Sequence, residues 1–354
     1  MKKLLVLSQG MFEGTFYCRH IVPDRLLNEY SDQLEITIEK DPRDIQWHNY
    51  DAVLLYRWYH PQFLNFIKQL RKQVDIPMLY ETDDHLLSIP PYNYASTMLS
   101  RSIIKEIMSL CDGYIFSTNI IKDITMLEMG QEDRMKPCTV IENRLDRDLW
   151  GDPTFNIRTP GDPLRLGYEG TGNRFSMRGN SHLDDFEHLE KILLKHTRNH
   201  MQEYQWVFFG GFPQNLVSLT EVEYHPWVET YKDFVRVMKN LNLHVGISPL
   251  RNNDFNRCKS NIKRLDYYAC GALGLYSKSP IYEDPNCPTT KELVLLNSDT
   301  SWEKMLTELE EDEGMRYRLW ELEHRYFTEN PDKIWLQDNI NERHASIIGL
   351  LDVL

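Results

Sequence analysis

Short apolar segments alternate with amphipathic ones along the first 140 residues of the chain. Strands are predicted at Lys3–Leu7, Leu34–Ile38, Ala52–Tyr56, Pro77–Tyr80, Tyr114–Phe116 and Val140–Ile141. Apolar residues recur at helical spacing between these segments, which predicts helices near 19–29, 61–74 and 95–110. Continuous apolar strands separated by helices are typical of a parallel sheet that is covered on both faces.

A second series of strands and helices follows residues 151–163, whose sequence GDPTFNIRTPGDP has the composition of a linker. Strands are predicted at Leu164–Tyr168, Gln205–Phe209, His244–Ile247 and Leu275–Ser277, and helices at His182–Lys195, Thr230–Leu241, from about Ser260, and near 299–312, 315–326 and 332–352. The sequence therefore predicts an α/β protein with two βα domains facing across a cleft. In such folds, ligands bind at the carboxyl ends of the strands.

Composition narrows the class of protein. The 354 residues are 41% hydrophobic and 26% charged, as in ordinary globular proteins, and the formal net charge is −13. The apolar run Leu4–Leu7 is shorter than the core of a secretory signal, and no run approaches the roughly 20 residues that span a bilayer. Six cysteines without a CxxC pair argue against structural zinc. We expect a cytoplasmic protein without a stable membrane span, with peripheral membrane association left open.

One segment is rich in basic residues, although the chain as a whole is acidic. Five basic residues lie within fourteen positions of RNNDFNRCKSNIKRLDYYACG, residues 251–271. If a helix begins near Ser260, Lys259 and Lys263 share a face, and Asp266 lies one turn further along. Free backbone N–H groups at a helix start, together with two lysines, suit a diphosphate, and Asp266 is then placed to hold a ribose. A solvated basic helix face is the alternative interpretation.

The same segment resembles the donor-binding region of GT-B glycosyltransferases, in particular the family-4-like group. The matching positions in VGISPLRNNDFNRCKSNIKRLDYYACGALGLYS are Pro249-Leu250, Phe255-Asn256, Lys259-Ser260, Lys263, Asp266 and Gly271. The resemblance implies that the lysines and Ser260 adjoin the donor diphosphate and that Asp266 contacts the ribose. The family usually has Glu at the ribose position and a second Glu eight residues earlier, where this chain has Cys258.

Further segments carry the same resemblance. Residues 166–186, LGYEGTGNRFSMRGNSHLDDF, resemble the first strand, loop and helix of the family's donor domain. The aromatic segment HPWVETY, 225–231, falls where the family binds the nucleotide base, although a core position is the alternative for its Trp227. The loop that ends at Gly14, with Arg19 beyond it, resembles the family's first glycine loop. The donor-binding residues implied are Gly14, Arg19, Gly170, Thr171, Gly172, His182, Trp227, Asn256, Ser260 and Asp266.

The motif YETDDHL, residues 80–86, places two acidic residues at a predicted strand end. Three interpretations stay open: a helix cap, an acceptor-side role for Asp83 or Asp84, and a metal ligand. GT-B enzymes usually act without a catalytic metal, so no metal site is predicted. The candidate catalytic residues are Lys259, Lys263 and Asp84.

The resemblance implies a two-domain GT-B fold with Rossmann-like domains. Its expected parts are an acceptor-side domain at 1–155, a nucleotide-sugar domain at 156–328, and a C-terminal helix, 329–354, that returns to the first domain. The implied activity is transfer of a hexose or pentose from a UDP- or GDP-linked donor to an acceptor hydroxyl with retention of configuration, without another cofactor, in glycan or polysaccharide synthesis.

The acceptor stays open between a glycan, a lipid-linked sugar and a hydroxymethylated base in viral DNA. The net charge of −13 opposes the DNA acceptor, because duplex DNA is itself a dense polyanion. A non-catalytic nucleotide-sugar-binding protein is the second class of function, and a hydrolase or epimerase on the same architecture is the third.

Overall fold

A computed structural model describes residues 1–8, 14–170, 185–199, 203–212 and 222–354. Its twelve described strands form two six-stranded sheets, and the strands pair in parallel throughout both. We refer to the parts of the chain built around the two sheets as the N-terminal half and the C-terminal half. The predicted pair of parallel βα units is thereby confirmed.

The sheet of the N-terminal half has the strand order β2-β1-β3-β4-β5-β6. Its strands are β1 (Lys2–Ser8), β2 (Leu34–Glu39), β3 (Ala52–Tyr56), β4 (Met78–Thr82), β5 (Gly113–Phe116) and β6 (Cys138–Val140). Every residue of β3 and β4 is buried, as expected of central parallel strands that helices cover on both faces.

The sheet of the C-terminal half has the order β12-β11-β10-β7-β8-β9. Its strands are β7 (Leu164–Gly170), β8 (Tyr204–Gly210), β9 (Val222–His225), β10 (Val245–Ser248), β11 (Leu273–Ser277) and β12 (Val294–Leu295). The edge strand β9 has a mostly polar sequence with no fully buried residue, and the apolar pattern of the sequence does not predict it.

Helices connect the strands in both halves. They are α1 (Gly14–Phe16), α2 (Val22–Tyr30), α3 (Pro61–Gln73), α4 (Arg101–Ser109), α5 (Asn119–Glu128), α6 (Arg147–Trp150), α7 (Glu187–Asn199), α8 (Tyr231–Asn240), α9 (Asp254–Arg257), α10 (Ile262–Ala269), α11 (Thr290–Leu293), α12 (Asp299–Glu311), α13 (Glu313–Glu329) and α14 (Leu336–Asp352). A π-helical turn, Tyr17–Ile21, joins α1 to α2.

The basic segment 251–271 folds as two helices rather than one. The short helix α9 ends at Arg257, and α10 begins at Ile262, two residues after the predicted start near Ser260. Lys259 therefore lies on the connection between α9 and α10. The expectation that Lys259 and Lys263 share one helix face is wrong, because Lys259 precedes the helix.

The C-terminal helix α14 returns to the N-terminal half, as the sequence predicts. Its residues Ile340, Ile347, Leu350 and Leu351 join a buried cluster that includes Leu4 and Val6 of β1. The Lys2 ammonium also donates to the Leu351 carbonyl at 2.8 Å. One face of the N-terminal sheet is thus covered by residues that lie far away in the sequence.

A glycine fixes the turn between α10 and β11. Gly271 has φ +82°, and a Cβ built on it would lie 1.9 Å from the carbonyl oxygen of Thr154. Only glycine accepts this backbone without displacing its neighbour. The adjacent segment is held further where Asn156 N–H donates to the Gly271 carbonyl at 3.0 Å.

Candidate functional site

A cavity of about 1000 Å³ lies between the two halves. The carboxyl ends of strands from both sheets face it, since Ser8 of β1, Tyr56 of β3 and Gly170 of β7 all line it. Polar residues from both halves converge there, which is the usual position of a ligand site in open parallel sheets.

The C-terminal wall of the cavity contains three neighbouring charged groups. The Lys263 ammonium, on α10, hydrogen-bonds both the carboxylate and the carbonyl oxygen of Glu169 at the end of β7, and it lies 4.7 Å from the centre of the Tyr168 ring. Asp266 follows one turn later on the same helix. All three charged side chains are buried.

Asp266 is the least satisfied of these groups. Its Oδ1 atom is buried and has no hydrogen-bond partner among the described residues. Burial, reinforced by the nearby Glu169 carboxylate and opposed by Lys263, raises the pKa of Asp266 well above its usual range. A buried acceptor without a donor is costly, so this carboxyl is suited to a ligand that brings hydroxyl groups.

The loop between α9 and α10 contacts the N-terminal half directly. The Lys259 ammonium lies 3.1 Å from Asp84 Oδ1 and 4.0 Å from the centre of the Phe255 ring. The Ser260 hydroxyl accepts a hydrogen bond from the amide of Asn143 at 3.0 Å. Lys259 and Ser260 belong to the predicted diphosphate group. All five of these residues line the cavity.

The acidic pair after β4 is held by an arginine that the sequence analysis does not identify. Arg57 Nε lies 2.5 Å from Asp83 Oδ1, and its guanidinium also pairs with Asp84. The Tyr56 hydroxyl donates to Asp83 at 3.0 Å. Arg57 has φ +51°, an uncommon backbone conformation for a residue other than glycine, and such positions cluster at functional sites. Asp84, the predicted acceptor-side residue, lines the cavity.

Asn256 lies behind the cavity wall in a network that joins the two halves. Its amide donates to the Tyr92 hydroxyl at 3.1 Å and to the Asp185 carboxylate. Tyr92 donates in turn to Asp185 at 2.8 Å, and Asn253 donates to Tyr92 at 3.1 Å. Tyr92 and Asp185 line the cavity, whereas Asn256 is 1% exposed. Asn256 therefore contacts Tyr92 and Asp185, which line the cavity, and does not line it itself.

Arg19 lies within the N-terminal half and does not line the cavity. It is on the π-helical turn and is 1% exposed. Its Nε donates to Glu81 at 2.6 Å, and its Nη1 donates to the Ile141 carbonyl. Its Nη1 also donates at 3.2 Å to the side chain of Asn143, a cavity-lining residue that donates in turn to Ser260. Arg19 belongs to a buried charge network that also includes His20 and Arg343.

Gly14 and Trp227, two of the predicted donor-binding residues, both line the cavity. A Cβ built on Gly14 would lie 3.4 Å from the Tyr231 ring. Trp227 stacks on Phe209 at 5.2 Å and is 45% exposed. Trp227 is therefore available to a planar ligand on one side. Gly170 lines the cavity as well, while Thr171, Gly172 and His182 lie outside the described residues.

The five basic residues of segment 251–264 do not lie together in one cluster. The Arg264 guanidinium lies 2.7 Å from Glu323 Oε1 and 3.0 Å from the Thr289 hydroxyl, both outside the cavity lining. Arg257 is half-exposed near Asp254. Only Lys259 and Lys263 of the five basic residues line the cavity. The solvated-face interpretation thus fails for these two lysines, because both are largely buried.

Cys258 is not part of the cavity wall. It is fully buried and packs into the apolar cluster of the N-terminal half that contains Trp58 and Leu87. Burial raises the pKa of the Cys258 thiol to about 12, so the group stays neutral at physiological pH. The position where the family has an acid serves here as an apolar contact between the halves.

No protein-family model matches the sequence, and no curated protein does either. Solved structures are similar over most of the chain. Sucrose-phosphate synthase from Thermosynechococcus elongatus has a TM-score of 0.62 at 10% identity, covering 100% of both chains. Anabaena HepE in complex with UDP and glucose has a TM-score of 0.60 at 11% identity, covering 99% of this chain and 100% of that one.

An alpha-glucosyltransferase in complex with UDP and a DNA containing an HMU base is also similar, with a TM-score of 0.55 at 10% identity over 92% of this chain and 94% of that one. At these identities the likeness establishes the fold alone. The chain has the GT-B fold of the glycosyltransferases to which it is similar, as the sequence predicts.

The described residues contain neither a candidate metal site nor a candidate membrane span. Within the described ranges, no group of three or more His, Cys, Asp or Glu side chains is arranged to hold a metal ion. The helices seen in those same ranges include none with the length and apolar character needed to cross a bilayer.

Proposed function

We propose that this protein is a glycosyltransferase that moves a sugar from a nucleoside-diphosphate donor to an acceptor hydroxyl, with retention of anomeric configuration. The observation that carries the proposal is Oδ1 of Asp266, which is buried and has no hydrogen-bond partner among the described residues, in a cavity that Lys263 and Lys259 also line. Ribose hydroxyls supply the donors that this carboxyl lacks, and the lysines supply the positive charge that a diphosphate needs.

Nucleotide binding requires exchange of partners at Lys263. This lysine is paired with Glu169, so an incoming diphosphate shares or displaces that carboxylate. The partly exposed Trp227 is proposed to stack on the nucleotide base, and Gly14 and Gly170 allow the backbone to approach the phosphates closely. Because the similar HepE structure holds UDP, a uridine donor is the first to test, with GDP-linked sugars beside it.

Catalysis would rest on stabilising the departing diphosphate. Lys259 and Lys263, whose side chains are both largely buried, offset its developing negative charge. The acceptor-side carboxylates Asp83 and Asp84 are both ion-paired with Arg57, so a proton taken up by either would disrupt an ion pair. That pairing supports a retaining route, in which the leaving phosphate takes the acceptor proton on the same face of the sugar.

The test is a panel of UDP- and GDP-sugars, scored for bound nucleotide by calorimetry and for release of nucleoside diphosphate. We expect binding of at least one donor and slow hydrolysis without acceptor. Asp266→Asn preserves the size of the side chain and should weaken nucleotide binding about tenfold, whichever sugar is attached. Asp338→Asn, at a partly buried aspartate outside the cavity lining, serves as the matched control.

The outcomes separate the candidate functions. Tight donor binding without turnover, with or without acceptor, would support a non-catalytic nucleotide-sugar-binding protein. Unchanged nucleotide affinity in Asp266→Asn would overturn the ribose contact. NMR of the product formed from an α-linked donor decides the stereochemistry, because retention gives an α-linked product.

A further inference from the structure

The cavity extends from Asp84 along a segment that has no charged side chain. The fifteen residues 86–100, LLSIPPYNYASTMLS, contain no Asp, Glu, Lys or Arg, although 26% of the chain is charged. This segment connects β4 to α4 and forms two 3₁₀ turns, Leu86–Ser88 and Tyr94–Thr97. A long connection at the carboxyl end of a central strand is a common place for substrate contacts.

Apolar side chains of this segment face the cavity. The lining includes Leu86, Ile89, Ala95, Met98 and Leu99, with Phe255 of the C-terminal half among the other lining residues. Met98 is 50% exposed, and Leu86, Ile89 and Leu99 are partly exposed. This apolar wall is continuous with the cavity that contains the candidate donor site.

The apolar wall formed by residues 86–99 is held in place by several contacts. The Tyr92 hydroxyl ties it to Asp185 of the C-terminal half at 2.8 Å, and the Asn93 side chain caps the second 3₁₀ turn through Ala95 N–H at 3.0 Å. Leu86 and Leu99 pack against the buried cluster of the N-terminal half. These hydrogen bonds and the packing of Leu86 and Leu99 hold the segment against the rest of the protein.

Charge at the inner end of the wall opposes an anionic acceptor. Asp83 and Asp84 both line the cavity there, and the nearby cations Arg57 and Lys259 are ion-paired with them. A phosphate on the acceptor would have to displace a carboxylate to reach either cation. A neutral hydroxyl can instead donate a hydrogen bond to a carboxylate oxygen without breaking an ion pair.

We propose that the acceptor is an uncharged hydroxyl compound that also carries an apolar aryl or alkyl group, with that group against residues 86–99. This inference rests on the proposed glycosyltransferase function and names its acceptor class. In the transfer, the bond from the anomeric carbon to the diphosphate oxygen breaks and a bond from that carbon to the acceptor oxygen forms. The acceptor proton leaves with the diphosphate, and the nucleoside diphosphate is released.

The experiment compares acceptors with the same sugar hydroxyls. With a UDP- or GDP-sugar that the protein hydrolyses, transfer is measured to octyl glucoside, phenyl glucoside, glucose and glucose 6-phosphate, and products are identified by mass spectrometry. We expect kcat/KM for octyl or phenyl glucoside to exceed that for glucose by about tenfold or more, because the apolar group is removed from water. Glucose 6-phosphate should be the poorest of the four. Comparing the octyl with the phenyl glucoside distinguishes alkyl from aryl acceptors.

The matched variants are Met98→Asp, at the wall, and Met135→Asp, at a methionine that is 83% exposed and outside the cavity lining. The measured quantity is the ratio of kcat/KM for octyl glucoside to that for glucose within one variant. Met98→Asp should reduce this ratio about tenfold, Met98→Leu should preserve it, and Met135→Asp should leave it unchanged. Thermal unfolding of each variant confirms that it is folded.

The results separate failure of this inference from failure of the proposed function. If no donor is bound or hydrolysed, both the proposed glycosyltransferase function and the proposed acceptor class are wrong. If the donor is hydrolysed but glucose or glucose 6-phosphate is the better acceptor, only the acceptor class is wrong. Preferential transfer to DNA containing 5-hydroxymethyluracil, or an unchanged ratio in Met98→Asp, would also overturn it.

Discussion

Lys259 and Asp84 form an ion pair across the cavity, with Nζ 3.1 Å from Oδ1, although 175 residues separate them in the sequence. Lys259 belongs to the C-terminal half and Asp84 to the N-terminal half. The pair joins the candidate donor site to the candidate acceptor wall. Any diphosphate that recruits Lys259 therefore competes with a carboxylate on the opposite side of the cavity.

Replacing Asp84 should make the donor site more attractive to a diphosphate. Asp84→Asn removes the competing charge, and we expect the affinity for UDP or GDP to rise about two- to fivefold, since partly exposed ion pairs contribute up to about 1 kcal/mol. Transfer should slow, because the acceptor hydroxyl loses a carboxylate partner. Calorimetry and steady-state kinetics measure the two effects. Asp338→Asn is the control, because Asp338 forms a similar ion pair with Arg147 outside the cavity lining. Weaker nucleotide binding in Asp84→Asn would contradict the competition.

Lys263 should have separable effects on stability and on donor binding. Lys263→Met leaves the buried Glu169 carboxylate without its cation, and we expect the free energy of unfolding to fall by about 3–5 kcal/mol. Adding Glu169→Gln removes the uncompensated charge and should recover much of that loss. Nucleotide affinity should stay low in both variants. Urea unfolding and calorimetry give the two readouts, and recovered nucleotide binding in the double variant would show that Lys263 does not contact the phosphates.

The turn at Gly271 should tolerate no side chain. Gly271→Ala combines φ +82° with a Cβ that would lie 1.9 Å from the Thr154 carbonyl oxygen, so the backbone must shift. We expect a loss of about 2–4 kcal/mol in the free energy of unfolding. Gly161→Ala is the control: its φ is +92°, but no heavy atom lies within 4 Å of the added Cβ. That variant should lose only about 1 kcal/mol. Equal losses in urea unfolding would show that the contact with Thr154 has no effect.

The buried network around His20 should make stability depend on pH. Burial alone lowers the pKa of His20, but Glu81 and Asp24 raise it more, and the net result lies above the ordinary value of 6.5. The folded protein then holds this proton more tightly than the unfolded chain does. Its stabilising effect is complete below about pH 6.5 and is lost as the pH rises through the folded-state pKa.

His20→Gln tests this dependence. The difference in Tm between the native protein and this variant should be largest at pH 6 and should shrink steadily toward pH 9. Thermal unfolding across that range measures it. A difference that is constant with pH would mean that protonation of His20 does not contribute.

Much of the fold is predictable because its central strands are buried on both faces. The predicted bounds of strand β3, Ala52–Tyr56, are the observed ones, because a short continuous apolar run is typical of a strand buried on both faces of a parallel sheet. The edge strand β9 was missed for the opposite reason: its sequence, VEYH, alternates little and is partly exposed. Its pairing with β8 comes from the sheet rather than from its own residues.

The sequence predicts the site residues that lie on one helix, but not the contacts between residues that are far apart in the sequence. Lys263 and Asp266 are one turn apart on α10, so their proximity follows from sequence spacing. The next residue, Arg264, looks equivalent in the sequence, but it is directed toward Glu323, 59 positions away. Glu169 escaped notice because an acid at the end of an apolar strand gives no periodic signal. Arg57 is not predicted, because neither its ion pairs with Asp83 and Asp84 nor its backbone conformation leaves a pattern in the sequence.

The return of α14 to the first sheet has a consequence for synthesis of the chain. Strand β6 ends at Val140, whereas α14 begins at Leu336, so about 200 residues are made between the last strand of that sheet and the helix that covers it. While the ribosome adds them, the apolar face that includes Leu4 and Val6 lacks its cover of Ile347 and Leu350. The N-terminal half therefore lacks part of its core until α14 has been made, and apolar surface exposed in this way makes partly folded chains prone to aggregation.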